Sequence, residues 1–100
     1  TPYLYFSKNG NRDWYAFGEN WVVRLKKDLS GFDGEPRLVS RASQPWELVN
    51  RERNRCNEGA FVFKRAGVYY MTYSANDTGY SDYGVGVATA PHPLGPWTKS

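Results

Sequence analysis

Residues 68–73, Val-Tyr-Tyr-Met-Thr-Tyr, are the stretch of sequence that decides the fold. Aromatic and β-branched residues dominate this stretch, and such residues favour strands over helices. A second stretch, Tyr-Leu-Tyr-Phe-Ser at residues 3–7, lines up with Tyr-Met-Thr-Tyr-Ser at residues 70–74. The two copies predict that one multi-stranded unit occurs twice in the chain.

Other short runs rich in aromatic residues or valine predict further strands, at Trp21–Leu25, Leu38–Ser40, Phe61–Lys64 and Tyr83–Ala88. The pair Asn9-Gly10 predicts a turn directly after the first run, because Asn-Gly favours tight hairpin turns. Helical character is confined to Pro45–Arg53, for which the sequence predicts a single turn with Ser43 as a cap.

A sheet that recurs along the chain in the same strand order is typical of a β-propeller. The sequence therefore predicts an all-β fold made of antiparallel four-stranded blades. Residues 1–50 are expected to form most of one blade and residues 51–100 the next. Since a propeller closes with 4–8 blades, the chain is expected to be a piece of a larger domain. A free-standing β-sandwich or barrel would also fit short strands at regular spacing.

Composition excludes several classes of function. The net charge of +3, from 13 Lys and Arg against 10 Asp and Glu, is small and spread along the chain, so no nucleic-acid partner is predicted. No apolar run approaches the roughly 20 residues of a membrane helix, so no membrane partner is predicted either. The single cysteine cannot form an internal disulfide. Localisation stays open between extracellular or periplasmic and cytoplasmic.

One acidic residue stands out by its position. Glu58 directly precedes an apolar strand and is followed by the small residues Gly59 and Ala60, which leave room for another molecule to approach. A solvent-exposed carboxylate at a strand edge is the plainer interpretation. The other acids considered lie in loops rich in Gly, Ser and Asn and are predicted to be turn residues: Asp28, Asp33, Asp77 and Asp82.

The sequence predicts neither a metal site nor a cofactor within the chain. Its only histidine, His92, lies between two prolines, and Cys56 has no histidine at a motif spacing, so Cys56 is expected to be a packing residue. The aromatic residues divide into two expected groups. Core positions in the sheet are predicted for Tyr3, Tyr5, Tyr69 and Tyr73, whereas a stacking platform for sugar rings or bases could draw on Trp14, Trp21, Trp46 and Tyr80.

From Asn57 onward the chain resembles glycoside hydrolase family 43. The resemblance lies in Asn-Glu-Gly-Ala-Phe-Val-Phe-Lys at residues 57–64, and it continues through residues 67–76, 82–89 and 93–97. It implies a five-bladed propeller, of which this chain would supply about two blades. It also implies an inverting glycosidase acting on arabinose- or xylose-containing polysaccharides or oligosaccharides: an α-L-arabinofuranosidase, arabinanase or β-xylosidase.

In that family the Glu of Glu-Gly-Pro is the general acid, which corresponds to Glu58, although Ala60 stands where the family usually has proline. The family's general-base Asp and pKa-modulating Asp lie upstream of the segment that matches Tyr3. The resemblance therefore implies that the rest of the propeller is required, and that the complete protein has room for a structural calcium ion.

Two other functions remain open from the residues themselves. One is a non-catalytic carbohydrate-binding β-module, in which Trp and Tyr stack on sugars and Glu58 is an ordinary hydrogen-bonding acid. The weaker one is a basic, aromatic binder of single-stranded nucleic acid.

The 100-residue chain by itself is predicted to be catalytically inactive, because without the general base no water is activated. The measurement is turnover of aryl arabinofuranosides and xylosides by the purified chain, with Glu58→Ala as the control. Turnover above that control would contradict the prediction.

Overall fold

The computed structural model describes residues 1–100 and consists of strands with one short helical turn. The strands are β1 (Tyr3–Arg12), β2 (Tyr15–Arg24), β3 (Arg37–Ser40), β4 (Asn54–Arg65), β5 (Val68–Ala75), β6 (Gly84–Ala90) and β7 (Thr98–Lys99). A 3-10 turn, Pro45–Leu48, precedes β4. The predicted all-β class is confirmed. Nothing helical in the chain has the length and apolar character needed to cross a bilayer.

The strands form two antiparallel groups that follow the same order. In the first group β1 pairs with β2 and β2 with β3; in the second β4 pairs with β5, β5 with β6 and β6 with β7. The two similar stretches of sequence lie in β1 and β5, each of which is followed by two further antiparallel strands of its group: β2 and β3 after β1, and β6 and β7 after β5. A short parallel pairing of Ala16–Gly18 with Asn54–Cys56 joins β2 to β4. The division into blades at residue 50 stays a prediction.

The hairpin between β1 and β2 corrects the turn predicted at Asn9-Gly10. Both residues lie inside β1, and the chain reverses at Asp13 and Trp14, where Asp13 has a φ of 49°. Gly10 pairs directly with Phe17, and a Cβ on Gly10 would lie 2.8 Å from the Phe17 ring. The glycine is therefore explained by the close approach of an aromatic ring and not by a turn.

The single helical turn predicted within Pro45–Arg53 is present. The turn ends at Leu48, and the residue that caps its start is Gln44 instead of the predicted Ser43. The carboxylate of Glu47 turns back and accepts hydrogen bonds from the backbone N–H groups of Ser43 (2.9 Å) and Gln44 (3.2 Å). A side chain within the turn thus satisfies the donors that precede it.

The apolar core lies between β5 and β6. Met71, Tyr73, Ala75 and Ala88 are buried there, and Trp46 stacks on the Tyr73 ring at a centroid distance of 6.5 Å. Gly86 pairs with Tyr73 across the two strands, and a Cβ at Gly86 would lie 2.5 Å from the Tyr73 hydroxyl and 2.9 Å from the Trp46 ring. Only glycine at this position leaves room for both rings.

A charged group is buried beside this core. Glu47 is fully buried, and its carboxylate accepts a short hydrogen bond from the Tyr73 hydroxyl and a 2.6 Å bond from Lys99 Nζ. Lys99 also donates to the backbone oxygen of Arg41 (2.6 Å) and to Ser43 Oγ (2.9 Å). Burial by itself raises the pKa of Glu47, but its hydrogen bonds, above all that from Lys99, outweigh burial and hold the pKa below the ordinary 4.5.

Replacing Lys99 by methionine is expected to lower the free energy of unfolding by about 3 kcal/mol, because it leaves the Glu47 carboxylate buried without its cation. Urea denaturation followed by tryptophan fluorescence measures the loss. Lys26→Met, at an exposed position, is the matched control and should change little.

The pH dependence gives an independent check. Because the pKa of Glu47 is lowered in the folded chain, its stabilising effect is present above about pH 4.5 and is lost as the pH falls below that value. In Glu47→Gln this acid-dependent loss should disappear from the melting curves. If Lys99→Met is as stable as the control, the pair does not stabilise the fold.

Candidate active site

Glu58 lies on β4 opposite Ser74 of β5 and is half-buried. Its side chain lines a cleft of about 400 Å³, which we call the Glu58 cleft. The other walls come from the end of β1, the beginning of β2 and the beginning of β4: Asn9, Gly10, Asn11, Ala16, Phe17, Asn54 and Cys56. The parallel pairing of β2 with β4 brings these three strand segments to one end of the sheet.

A bulge fixes the backbone at Glu58. The pairing of β4 with β5 shifts register between Glu58 and Phe61, and Gly59 has a φ of 64°, which disfavours any residue with a Cβ. The N–H of Gly59 donates to Ser7 Oγ at 3.3 Å, which ties the bulge to β1. Bulges commonly re-aim a side chain next to functional sites, and this one follows the carboxylate directly.

The hydrogen bond between Gly59 and Ser7 is the first of a series that extends across the first group of strands. Ser7 Oγ donates to Asn20 Oδ1 at 3.4 Å, and Asn20 Nδ2 donates to Ser40 Oγ at 3.1 Å. Asn20 and Ser40 are both buried. The position of the bulge therefore depends on polar side chains from β1, β2 and β3.

The Glu58 cleft suits a ligand rich in hydroxyl groups. Its asparagine amides, from Asn9, Asn11 and Asn54, each offer donors and an acceptor, which match the mixed hydrogen bonding of sugar hydroxyls. Glu58 is the one carboxylate among the lining residues. The arrangement combines orientation by amides with a single group able to transfer a proton.

Cys56 lies beside Glu58 on the same face of β4 and is buried, as predicted. Burial is the main cause that raises the pKa of its thiol to about 12, and the negative charges of Glu58 and Asp77 add to it. The thiol is therefore protonated at neutral pH, which agrees with a packing role.

The four aromatic residues predicted to form a stacking platform do not lie together in the structure. Trp14 at the tip of the β1–β2 hairpin is 68% exposed, and Tyr80 in the loop after β5 is 39% exposed. Both follow strand segments at the same end of the sheet as Glu58. Trp46 instead packs in the core, and Trp21 lies under Lys8 Nζ at 5.3 Å on the other half of β2.

The four tyrosines predicted for the core also differ in their burial. Tyr73 is buried, whereas Tyr3, Tyr5 and Tyr69 are half-buried. The Tyr5 hydroxyl donates to the backbone oxygen of Pro93 at 2.8 Å, and burial raises the pKa of Tyr5 to about 12.

The acidic residues follow the prediction only in part. Asp28 and Asp77 accept hydrogen bonds from the backbone N–H two residues on, at Ser30 (3.0 Å) and Gly79 (2.9 Å), which is the predicted turn role. Glu58 is not the only acid in an unusual position, however. Glu19 and Glu47 are both almost completely buried, and the local sequence around them gave no sign of it.

No three His, Cys, Asp or Glu side chains come together in a group that could hold a metal ion. His92 Nδ1 accepts a hydrogen bond from the backbone N–H of Leu94 at 3.1 Å, and its ring packs edge-on against Tyr3. A structural calcium ion in the complete protein stays a prediction.

Comparison with known proteins agrees with this architecture. The family description "Glycosyl hydrolases family 43" matches residues 1–100. A solved thermostable family-43 glycoside hydrolase superposes with a TM-score of 0.90 at 39% identity, covering 99% of this chain and 32% of that one. A solved endo-1,4-β-xylanase from Bacteroides thetaiotaomicron gives a TM-score of 0.78 at 33% identity, covering 99% of this chain and 32% of that one.

Two curated relatives are similar in sequence. A β-D-galactofuranosidase of Aspergillus niger is 30% identical over 99 residues, which are 95% of this chain and 25% of that protein. A xylosidase/arabinosidase of Bacteroides ovatus is 36% identical over 80 residues, which are 77% of this chain and 23% of that protein. The chain thus spans about a quarter of the length of the curated relatives it matches.

These similarities define the class as the β-propeller glycoside hydrolases. The chain belongs to glycoside hydrolase family 43. The predicted fold, antiparallel blades of a propeller, is confirmed by the match to the solved family members. The role of Glu58 stays a prediction.

The reactivity of the Cys56 thiol tests whether the charge of Glu58 acts on its neighbour. In Glu58→Gln the pKa of the neighbouring thiol should fall, because one of the negative charges that raise it is gone. Alkylation of Cys56 by iodoacetamide at pH 8.5 is then expected to be several-fold faster than in the parent protein. Glu52→Gln, at an exposed position, is the control. Equal rates in all three proteins would show that Glu58 does not act on the thiol.

Proposed function

We propose that the complete protein hydrolyses O-glycosidic bonds in arabinose- or xylose-containing polysaccharides or oligosaccharides, with Glu58 as the general acid. The observation that carries the proposal is the Glu58 cleft, where one carboxylate lies among asparagine amides directly before a glycine bulge. Membership of family 43 adds support, since the motif at residues 57–64 resembles the one that carries the family's general acid.

The mechanism proposed is inversion at the anomeric carbon. Glu58 gives its proton to the departing glycosidic oxygen, while a general base on the opposite face of the sugar activates a water molecule. In such enzymes the two carboxyl groups are roughly 6.5–9.5 Å apart, which leaves space for that water. No second carboxylate lines the Glu58 cleft, so we assign the base to residues outside this chain.

The names of the relatives support a small set of substrates. One is a xylosidase/arabinosidase and another a β-D-galactofuranosidase. Arabinofuranose and galactofuranose both have five-membered rings, so an α-L-arabinofuranosidase fits both relatives, and a β-xylosidase or an arabinanase is the nearest alternative. A non-catalytic carbohydrate-binding role is the competing function, and the exposed ring of Trp14 is the observation that favours it.

Replacing Glu58 by glutamine in the complete protein removes the transferable proton but keeps the size of the side chain. Hydrolysis of the natural polysaccharide is expected to fall by roughly 10²–10⁴, because a sugar alcohol leaves poorly without protonation. Aryl glycosides with leaving groups of low pKa need little protonation and should lose much less. The ratio of kcat/KM for the two kinds of substrate measures the effect.

Glu52→Gln is the matched control, since Glu52 is exposed and lies outside the Glu58 cleft. Melting curves of both variants separate loss of chemistry from loss of structure. Equal losses on the two substrates, in step with a lower melting temperature, would mean that Glu58 has a structural role only. No loss on either substrate would show that Glu58 is not the general acid, and absence of hydrolysis by the parent protein would favour the binding module.

A further inference from the structure

A second cavity lies on the face of β2 and β4 opposite the Glu58 cleft. Side chains alternate along a strand, so Arg55 faces away from its neighbour Cys56, which lines the Glu58 cleft. The second cavity has a volume of about 190 Å³ and is lined by Arg12, Tyr15, Phe17, Glu19, Arg41, Ala42 and Arg55. We call it the arginine cavity.

The arginine cavity holds more positive charge than its own carboxylate neutralises. Glu19 is almost completely buried, and its Oε2 lies 3.3 Å from Arg12 Nη1 and 3.7 Å from Arg41 Nε. Arg55 has no carboxylate partner. Three guanidinium groups around one carboxylate leave a net charge of +2, which favours the binding of a further anion.

Aromatic rings hold two of the guanidinium groups in place. The Arg12 Cζ atom lies 3.9 Å from the centre of the Phe17 ring, and the Arg55 Cζ atom lies 3.7 Å from that of Tyr15. Arg55 Nε also donates to the backbone oxygen of Arg51 at 3.0 Å. Stacking uses the flat face of a guanidinium and leaves its remaining N–H groups free at the edge, in the fork that a carboxylate accepts.

The surroundings suit a sugar better than a free anion. Trp14 packs edge-on against Tyr15 at a centroid distance of 6.0 Å, and its ring is 68% exposed beside the cavity. Such a ring offers an apolar face on which a pyranose could stack. Arg55 and Glu58 are three residues apart on β4, about 10 Å along the strand, and their side chains leave opposite faces of the sheet. Phe17 lines both cavities, so a polysaccharide chain that passes round this end of the sheet could reach both.

We propose that the arginine cavity binds the carboxylate of a uronic acid unit in the polysaccharide substrate, with Arg12, Arg41 and Arg55 as its ligands. The inference rests on the proposed function, because it takes the ligand to be a glycan. It narrows the substrate class to acidic polysaccharides that carry uronic acid side units on a neutral pentose chain.

The test is a calorimetric binding titration of the complete protein with two xylo-oligosaccharides. One carries a single glucuronic acid side unit, and the other carries the methyl ester of the same unit, which keeps the shape and removes the charge. The acid is expected to bind about 10-fold more tightly than the ester. This preference should shrink as sodium chloride is raised to about 0.5 M.

Arg55→Met and Arg12→Met should each lower the affinity for the acid to about that for the ester, which abolishes most of the preference. Arg55→Lys keeps the charge without the fork and should retain part of the preference. Arg65→Met, an exposed arginine near the far end of β4, is the matched control. Arg41→Met tests the most exposed of the three without disturbing a ring contact.

Equal binding of acid and ester by the parent protein would overturn the proposal. Competition by acetate as effective as that by glucuronate would assign the cavity to small anions instead of sugars. Lower melting temperatures for the methionine variants with an unchanged preference would show that the arginines stabilise the fold and do not bind the uronic acid. Binding needs no turnover, so these outcomes do not depend on the role of Glu58.

Discussion

The buried carboxylate of Glu47 is the interaction on which the rest of the structure depends. It receives hydrogen bonds from β5 through Tyr73, from β7 through Lys99 and from the backbone in front of its own turn. A buried charge of this kind is tolerated only when its partners are all in place. The segment that joins the two groups of strands contains this turn, so these bonds fix the segment against the second group. β4 begins six residues after the turn.

A series of hydrogen-bonded polar side chains has a similar role in the first group of strands. Ser40, Asn20 and Ser7 link β3, β2 and β1 and end at the N–H of Gly59, next to Glu58. Buried hydrogen-bonded side chains specify a single packing more strictly than apolar ones, because an unpaired polar group costs free energy. The carboxylate that we assign as the acid is thus positioned by residues that lie outside the Glu58 cleft.

The β-strands and the unusual position of Glu58 could be predicted from the sequence, because both are marked by residues that are neighbours along the chain. Aromatic and valine-rich runs marked the strands, and Glu58 was visible because an apolar strand follows it directly. The polar ends of β1 and β2 were missed because Asn9-Gly10 has the composition of a turn, although Gly10 is in fact required by the ring of Phe17. Asn9 and Asn11 became recognisable as cleft residues only once β1 was known to continue to Arg12.

The burial of Glu19 and Glu47 could not be predicted from the local sequence. Glu47 is neutralised by a lysine 52 positions away, and the polar atoms that surround Glu19 come from separate strands and loops. Burial of a charged residue is decided by partners that the fold brings together, and a window of sequence contains only one member of such a pair. The arginine cavity is invisible for the same reason, since Arg12, Arg41 and Arg55 come from three different segments.

The parallel pairing of Ala16–Gly18 with Asn54–Cys56 has a consequence for the order of folding. The hairpins β1–β2, β4–β5 and β5–β6 each join strands that are neighbours along the chain, so little loop entropy is lost when they form. The parallel junction must close a much longer loop for only three residue pairs, and long-range contacts of this kind form late. Because both cavities lie where β2 meets β4, we expect them to take shape only in the final step of folding, after most of the sheet is in place.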